Sequence, residues 1–191
     1  ILADATNVIA EGEVMQLMNM HDASLDESGY LRVIRSKTAK LFEASARLAA
    51  VLAGSNALVE AACATYGQAL GTAFQIIDDV LDYDGDAAEM GKNLGDDLRE
   101  GKATLPLIAA MQRGTESEAS TVRKAIENGS TEQLDTIAHI VRKTGALEVA
   151  RNAAAAEAQR AIDALQQHSR TTPASSAAAG SAHLSAAAGD T

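Results

Sequence analysis

The stretch "ALVEAACATYGQALGTAFQIIDDVLDY", residues 57–83, decides the fold. It reads as one long, largely apolar helix. The break "GSN" at 54–56 precedes it, with Ser55 or Asn56 placed to cap its first turn. At 1.5 Å per residue it would span roughly 40 Å, the thickness of a domain, so it is expected to be central. Gly67 and Gly71 stand four apart on one face. Glycine inside a helix costs about 1 kcal/mol relative to alanine, so the pair predicts that a neighbouring helix approaches closely there.

Helices are expected on both sides of this element. Residues 1–19 read as a helix with Val8, Ile9, Val14, Leu17 and Met18 toward a core. Residues 30–52 read as a second, with Ile34, Leu41, Leu48 and Leu52 on a common face. Shorter helices are predicted over 104–113, 116–128, 131–143 and 145–168, and Thr115 and Thr131 precede acids at cap spacing. No period-two alternation marks a strand, so the predicted fold is all-α. One domain is expected over 1–168. From residue 169 the Ala/Ser-rich sequence has one large aliphatic residue, Leu184, and predicts a disordered tail. The first residues read as mid-helix without a cap, and an N-terminal part of the natural protein is expected to be missing.

Composition narrows the function classes. The chain has 191 residues, enough for a real core, and aromatics are only 3%. A formal charge of -10 argues against nucleic acid as a partner. Cys63, the only cysteine, permits no internal disulfide and reads as a small core residue. No run of 18 apolar residues suggests a transmembrane helix, and no signal peptide is legible. A cytoplasmic protein is the expectation.

The acidic end of the long helix poses the functional question. Asp78, Asp79, Asp82, Asp84 and Asp86 fall within nine positions, and no Lys or Arg occurs between Arg47 and Lys92. Asp78 and Asp82 share one helical face, with Asp79 at its edge. Ile77, Val80 and Leu81 anchor the other side. The helix C-terminus already disfavours negative charge. A hard divalent cation would resolve the conflict: Mg²⁺ takes oxygen from one or two carboxylates and completes its shell with water and phosphate. A solvated acidic helix end is one competing reading. A calcium loop in "DYDGDAAEMGKN" is another, but Ala87 stands at its glycine position and Asn93 at its glutamate position. The twenty residues 84–103 favour the metal reading. They supply Lys92 and Lys102 among Gly91, Gly95 and Gly101, as a metal-bridged phosphate site requires. Lys37, with Thr38 beside it, could join them. Asp84 and Asp86 read as solvated loop charges.

"FQIIDDVLDY" followed by "GKNLGDDLREGKATLPLI" resembles the second aspartate-rich motif, and the loop after it, of the trans-prenyl diphosphate synthases. "SKTAKLFEAS" resembles that family's Lys-Thr motif, and "AEGEVMQLMN" is similar to its long-chain members, the octaprenyl and solanesyl diphosphate synthases. The resemblance covers residues 1 to about 165. It implies an isoprenoid-synthase helical bundle around a central cavity, here without its N-terminal helices. It implies Mg²⁺-dependent, head-to-tail condensation of isopentenyl diphosphate with an allylic prenyl diphosphate, giving a long-chain precursor of quinone side chains. Carried over by motif, Asp78 ligates Mg²⁺ directly, and Asp79 and Asp82 act mainly through metal-bound water. Lys37, Lys92 and Lys102 contact the allylic diphosphate, while Thr38 and Gln75 line the same site. A homodimer is implied as well. Two departures stand out. The family's first aspartate-rich motif is absent before Asp78, so this chain alone is expected to be inactive. The tail also lacks the family's last amphipathic, basic helix. A non-catalytic partner subunit of a heteromeric synthase is the alternative.

Overall fold

The computed structural model describes the backbone of residues 1–84 and 95–171, with side chains up to residue 167. Among the described residues there is no strand. The elements are α1 (Leu2–Met18), α2 (Glu27–Ile34), a π-helical turn (Arg35–Ala39), α3 (Lys40–Leu52) and α4 (Ala57–Asp84), then α5 (Asp96–Arg99), α6 (Leu105–Arg113), α7 (Glu116–Asn128), α8 (Leu134–Lys143) and α9 (Ala146–Thr171). No helix among the described residues is long and apolar enough to cross a membrane. The tail expected from residue 169 lies, beyond Thr171, outside the described residues.

Caps define several starts. Asn56 accepts from the N–H groups of Leu58 and Val59, both at 3.0 Å, and so begins α4. Thr115 and Glu118 form a reciprocal capping box on α7. Thr131 does not cap. Its carbonyl takes the Leu134 N–H in a turn at 3.1 Å, and this delays α8 to Leu134.

Helix α4 is central, packed between α3 and α9. A β-carbon at Gly67 would stand 2.4 Å from the Phe42 carbonyl oxygen, and one at Gly71 would stand 2.7 Å from Ala39 Cα. The two glycines thus bring the α3 backbone against α4. The main core lies farther along α4, where Ile76, Val80 and Tyr83 meet Leu98, Leu105 and Ile126. Cys63 is half-buried in the first part of α4.

Two predicted faces are rearranged. The π-helical turn inserts one residue into the 30–52 helix and rotates everything after it by about 100°. Ile34 stays buried, but Leu41 and Leu52 become 55% and 85% exposed, while Ala39 and Ala50 turn inward. In α1 the fully buried positions are Ala5 and Gly12; Val8 and Ile9 are half-buried, and Val14, Leu17 and Met18 are exposed. Contact there is backbone to backbone, since a β-carbon at Gly12 would lie 2.6 Å from the Lys37 nitrogen. Small residues therefore win that face.

Gly67→Ala tests the α3–α4 contact. Intrinsic propensity favours alanine by about 1 kcal/mol, whereas overpacking costs about 1–3 kcal/mol. Because the clashing atoms are backbone, the clash should win, and the thermal midpoint should fall. An unchanged or raised midpoint in a melting experiment would refute the close approach.

Candidate active site

A pocket of about 200 Å³ opens where α1, α2, the π-helical turn, α4 and the segment after α5 meet. Lys37, Thr38, Gln75, Asp78, Asp79 and Lys102 all line it. Six residues singled out from the sequence therefore converge from three separate stretches of chain. Lys92 lies outside the described residues, as does Asp86. Asp82 does not face this pocket. It is buried, its Oδ2 accepts the Asp97 N–H at 3.3 Å, and it borders a second cavity beside Tyr83, Asp135 and His139. Asp84 ends α4 and pairs with Arg151 of α9, so it is not simply a solvated loop charge.

The π-helical turn presents Lys37 and Thr38 to the pocket. Such turns are rare and often mark functional sites. Lys37 Nζ pairs with Glu13 of α1 at 2.8 Å. The Thr38 hydroxyl donates to Gln75 Oε1 at 2.9 Å, and Gln75 Nε2 donates to Asp79 Oδ1 at 2.9 Å. Tyr30 of α2 completes the chain, its hydroxyl donating to Asp79 Oδ2 at 2.6 Å. Asp79 is thereby held at both oxygens, with only 3% of its surface exposed.

Across the pocket lie Asp97 and Lys102. Lys102 Nζ bonds Asp97 Oδ1 at 2.9 Å and Glu100 Oε2 at 2.7 Å. Burial pulls the Lys102 ammonium down, but the hydrogen bond to Glu100 and the charge of Asp97 outweigh it, and its pKa is raised. Tyr30, Asp97 and Thr104 are pocket residues that sequence reasoning missed. The Asp97 signal was visible as an acid inside "GDDLREGK"; that of Tyr30 was not, because its partner lies 49 residues away. The Thr104 hydroxyl is buried with no hydrogen-bond partner among the described residues.

The carboxylates repel one another. Burial pushes Asp79 up to about 7, the charge of Asp97 adds to it, and the bonds from Tyr30 and Gln75 oppose it. Burial and then Asp97 raise Asp82 to about 6, against backbone N–H groups of Asp97 and Asp96. Among the described residues no three acidic, histidine or cysteine side chains converge on a common metal position. The donor set therefore does not make an all-protein cage. It fits a hard ion that takes one or two carboxylates and completes its shell with water and phosphate, as Mg²⁺ does.

The polyprenyl synthetase family model matches residues 1–144. The chain belongs to that family. Octaprenyl diphosphate synthase of Haemophilus influenzae is 51% identical over 167 residues, covering 87% of this chain and 51% of that protein. Its Escherichia coli counterpart is 50% identical over 167 residues, 87% of this chain and 52% of that protein. A polyprenyl synthase from Caulobacter crescentus, solved with calcium and isoprenyl diphosphate, superposes with a TM-score of 0.82 at 45% identity, over 87% of this chain and 51% of that one. The chain thus spans about half the length of these relatives. The all-α isoprenoid-synthase fold expected from the sequence is the one found. In this polyprenyl synthetase chain, the acidic end of α4 and the lysines that face it lie within the residues the family model matches.

The raised carboxylates give a signed prediction. In the folded state Asp79 keeps a proton that the unfolded chain has released. Folding is therefore favoured at the acid end, and stability falls as pH rises from about 4 to about 7. The slope is at most about 1.4 kcal/mol per pH unit for one such group. In magnesium-free buffer the thermal midpoint should drop between about pH 5 and about pH 7.5. Asp79→Asn should flatten the drop, and equal slopes for both proteins would contradict this assignment.

Proposed function

We propose that the chain supplies the second metal- and diphosphate-binding wall of a long-chain trans-prenyltransferase. The observation that carries this reading is the single pocket where Asp78 and Asp79 face Lys37 and Lys102 in a member of the polyprenyl synthetase family. The reaction joins an allylic prenyl diphosphate to isopentenyl diphosphate, extending a quinone side-chain precursor. The allylic C–O bond breaks and the diphosphate leaves with the electron pair. The isopentenyl double bond attacks the allylic carbon, a C–C bond forms, and a proton is lost from the new unit.

The residues divide the work. Asp78 and Asp79 would hold Mg²⁺, Asp78 directly and Asp79 mainly through bound water. The ion, when bound, supplies positive charge to the departing diphosphate. Lys37 and Lys102, together with Lys92, neutralise the phosphate oxygens as compact point charges. Lys37 must exchange its Glu13 partner for phosphate, a small cost for a pair that is 32% and 48% exposed. Thr38 and Gln75 keep Asp79 aimed at the pocket. Asp82 contributes from behind by anchoring the backbone that carries Asp97. A pocket of about 200 Å³ suits a headgroup and its ion rather than a long hydrocarbon. Leu70, Phe74 and Ile77 form an exposed apolar strip along α4, turned away from Gln75 and Asp79, and the chain of the substrate would lie along it. The same reading takes the protein to be a cytoplasmic homodimer.

Titration calorimetry with farnesyl diphosphate tests the reading. Binding should require Mg²⁺, and Asp78→Ala should abolish it. Magnesium-independent binding, or full affinity in the variant, would leave α4 with an ordinary acidic end. Because the chain lacks the family's first aspartate-rich motif, it should by itself form no elongated product from farnesyl and isopentenyl diphosphates. Robust elongation would refute that.

A further inference from the structure

His21 is the sole non-glycine residue among the described residues with left-handed backbone, at φ 62°. A β-carbon is disfavoured there, and such residues persist where their surroundings over-determine them. His21 is exposed, so burial does not impose the conformation. Two other backbone segments do. The His21 N–H donates to the Gly101 carbonyl at 2.8 Å. Its Nδ1 lies 3.1 Å from the Ile126 carbonyl, near the end of α7. A carbonyl only accepts, so the ring nitrogen is the donor. The ring also rests against the Gly101 turn: a β-carbon at Gly101, where φ is 71°, would stand 2.3 Å from Nδ1. The joint between α1 and α2, the Gly101 turn and the end of α7 thus close on one imidazole.

The Gly101 turn carries pocket residues. The Lys102 N–H donates to the Asp97 carbonyl at 2.9 Å, which closes the turn, and both side chains face the pocket. On the other side of His21, Asn19 and Met20 line the same pocket. The start of the segment hangs on Asp82 through two long bonds, both 3.3 Å, from the N–H groups of Gly95 and Asp97. The shorter main-chain bond from His21 holds its far end, one residue from Lys102, and the His21 ring ties that end to α7 through the Ile126 carbonyl.

We propose that His21 is a positioning residue: it braces the Asp97–Lys102 turn against α7 and so sets where the Lys102 ammonium meets diphosphate. The proposal rests on the diphosphate-binding reading of Lys102. Nothing in it requires His21 to touch the ligand.

Three variants of the full chain test it: His21→Gly, Lys102→Met and the double substitution. Glycine adopts left-handed backbone freely, so His21→Gly keeps the main-chain path and removes only the ring. Two measurements separate the brace from its consequence. In ligand-free protein, amide exchange at Lys102 should quicken about tenfold in His21→Gly, as expected for loss of one hydrogen bond, while α9 amides stay protected. In calorimetry with Mg²⁺ and inorganic pyrophosphate, His21→Gly should weaken binding about tenfold when Lys102 is present, and should add nothing in the Lys102→Met background. Unchanged exchange overturns the brace. Equal losses in both backgrounds overturn its action through Lys102. If Lys102→Met itself leaves pyrophosphate binding unchanged, the diphosphate role of Lys102 fails and the functional half of the proposal falls with it. The exchange rates then distinguish that failure from failure of the brace.

Discussion

The contact of α4 with the π-helical turn and α3, backbone against backbone, is the constraint on which the rest of the structure depends. It exists because Gly67 and Gly71 have no side chains to hold the helices apart. At that spacing Thr38 reaches Gln75, and Gln75 on the next turn of α4 reaches Asp79. A wider separation would leave the Thr38 hydroxyl and the Gln75 side-chain oxygen without each other, and nothing from the π-helical turn would then orient Gln75. Packing energy and site geometry are here the same contact. Gly12 repeats the device from the other side, seating α1 on the backbone of Ser36 and Lys37. The turn that carries two pocket residues is therefore pressed between two helices at glycine positions.

The second theme is electrostatic. Asp79 and Asp82 are buried at the end of a helix whose dipole opposes them, and Asp97 approaches both. Ordinary packing would neutralise such acids with arginine. Here the described cations nearby are committed elsewhere: Lys102 is shared between Asp97 and Glu100, Lys37 pairs with Glu13, and Arg142 donates to the Tyr83 carbonyl. Burial and mutual repulsion thus hold both carboxyls above the ordinary carboxylate range. Tyr30 and Gln75 keep one of them, Asp79, oriented.

Much of this was legible in the chain of residues. The helix spans follow from apolar periodicity and from caps such as Asn56 and the Thr115–Glu118 pair. The meeting of Lys37, Thr38, Gln75, Asp78, Asp79 and Lys102 was foreshadowed by motif order alone. The faces of α1 and α3 were not legible. A one-residue π insertion leaves no mark in composition, yet it turns Leu41 outward and Ala39 and Ala50 inward. Thr131 looked like a cap because cap spacing is a local pattern, but an equally local turn, closed by its carbonyl and the Leu134 N–H, took its place.

The sequence by itself determined the all-α class, the element order and the acidic end of the central helix, because these rest on local propensity and short-range charge. Only the tertiary structure decided which carboxylates share a pocket. Asp82 is four residues from Asp78, one turn along the same helix, yet the 95–97 backbone claims it and it borders a different cavity. Asp97, eighteen positions beyond Asp79, joins that pocket instead. Tyr30 and His21 act through partners 49 and 105 residues away. A hydrogen bond between distant segments depends on how helices stack, and no local pattern encodes that.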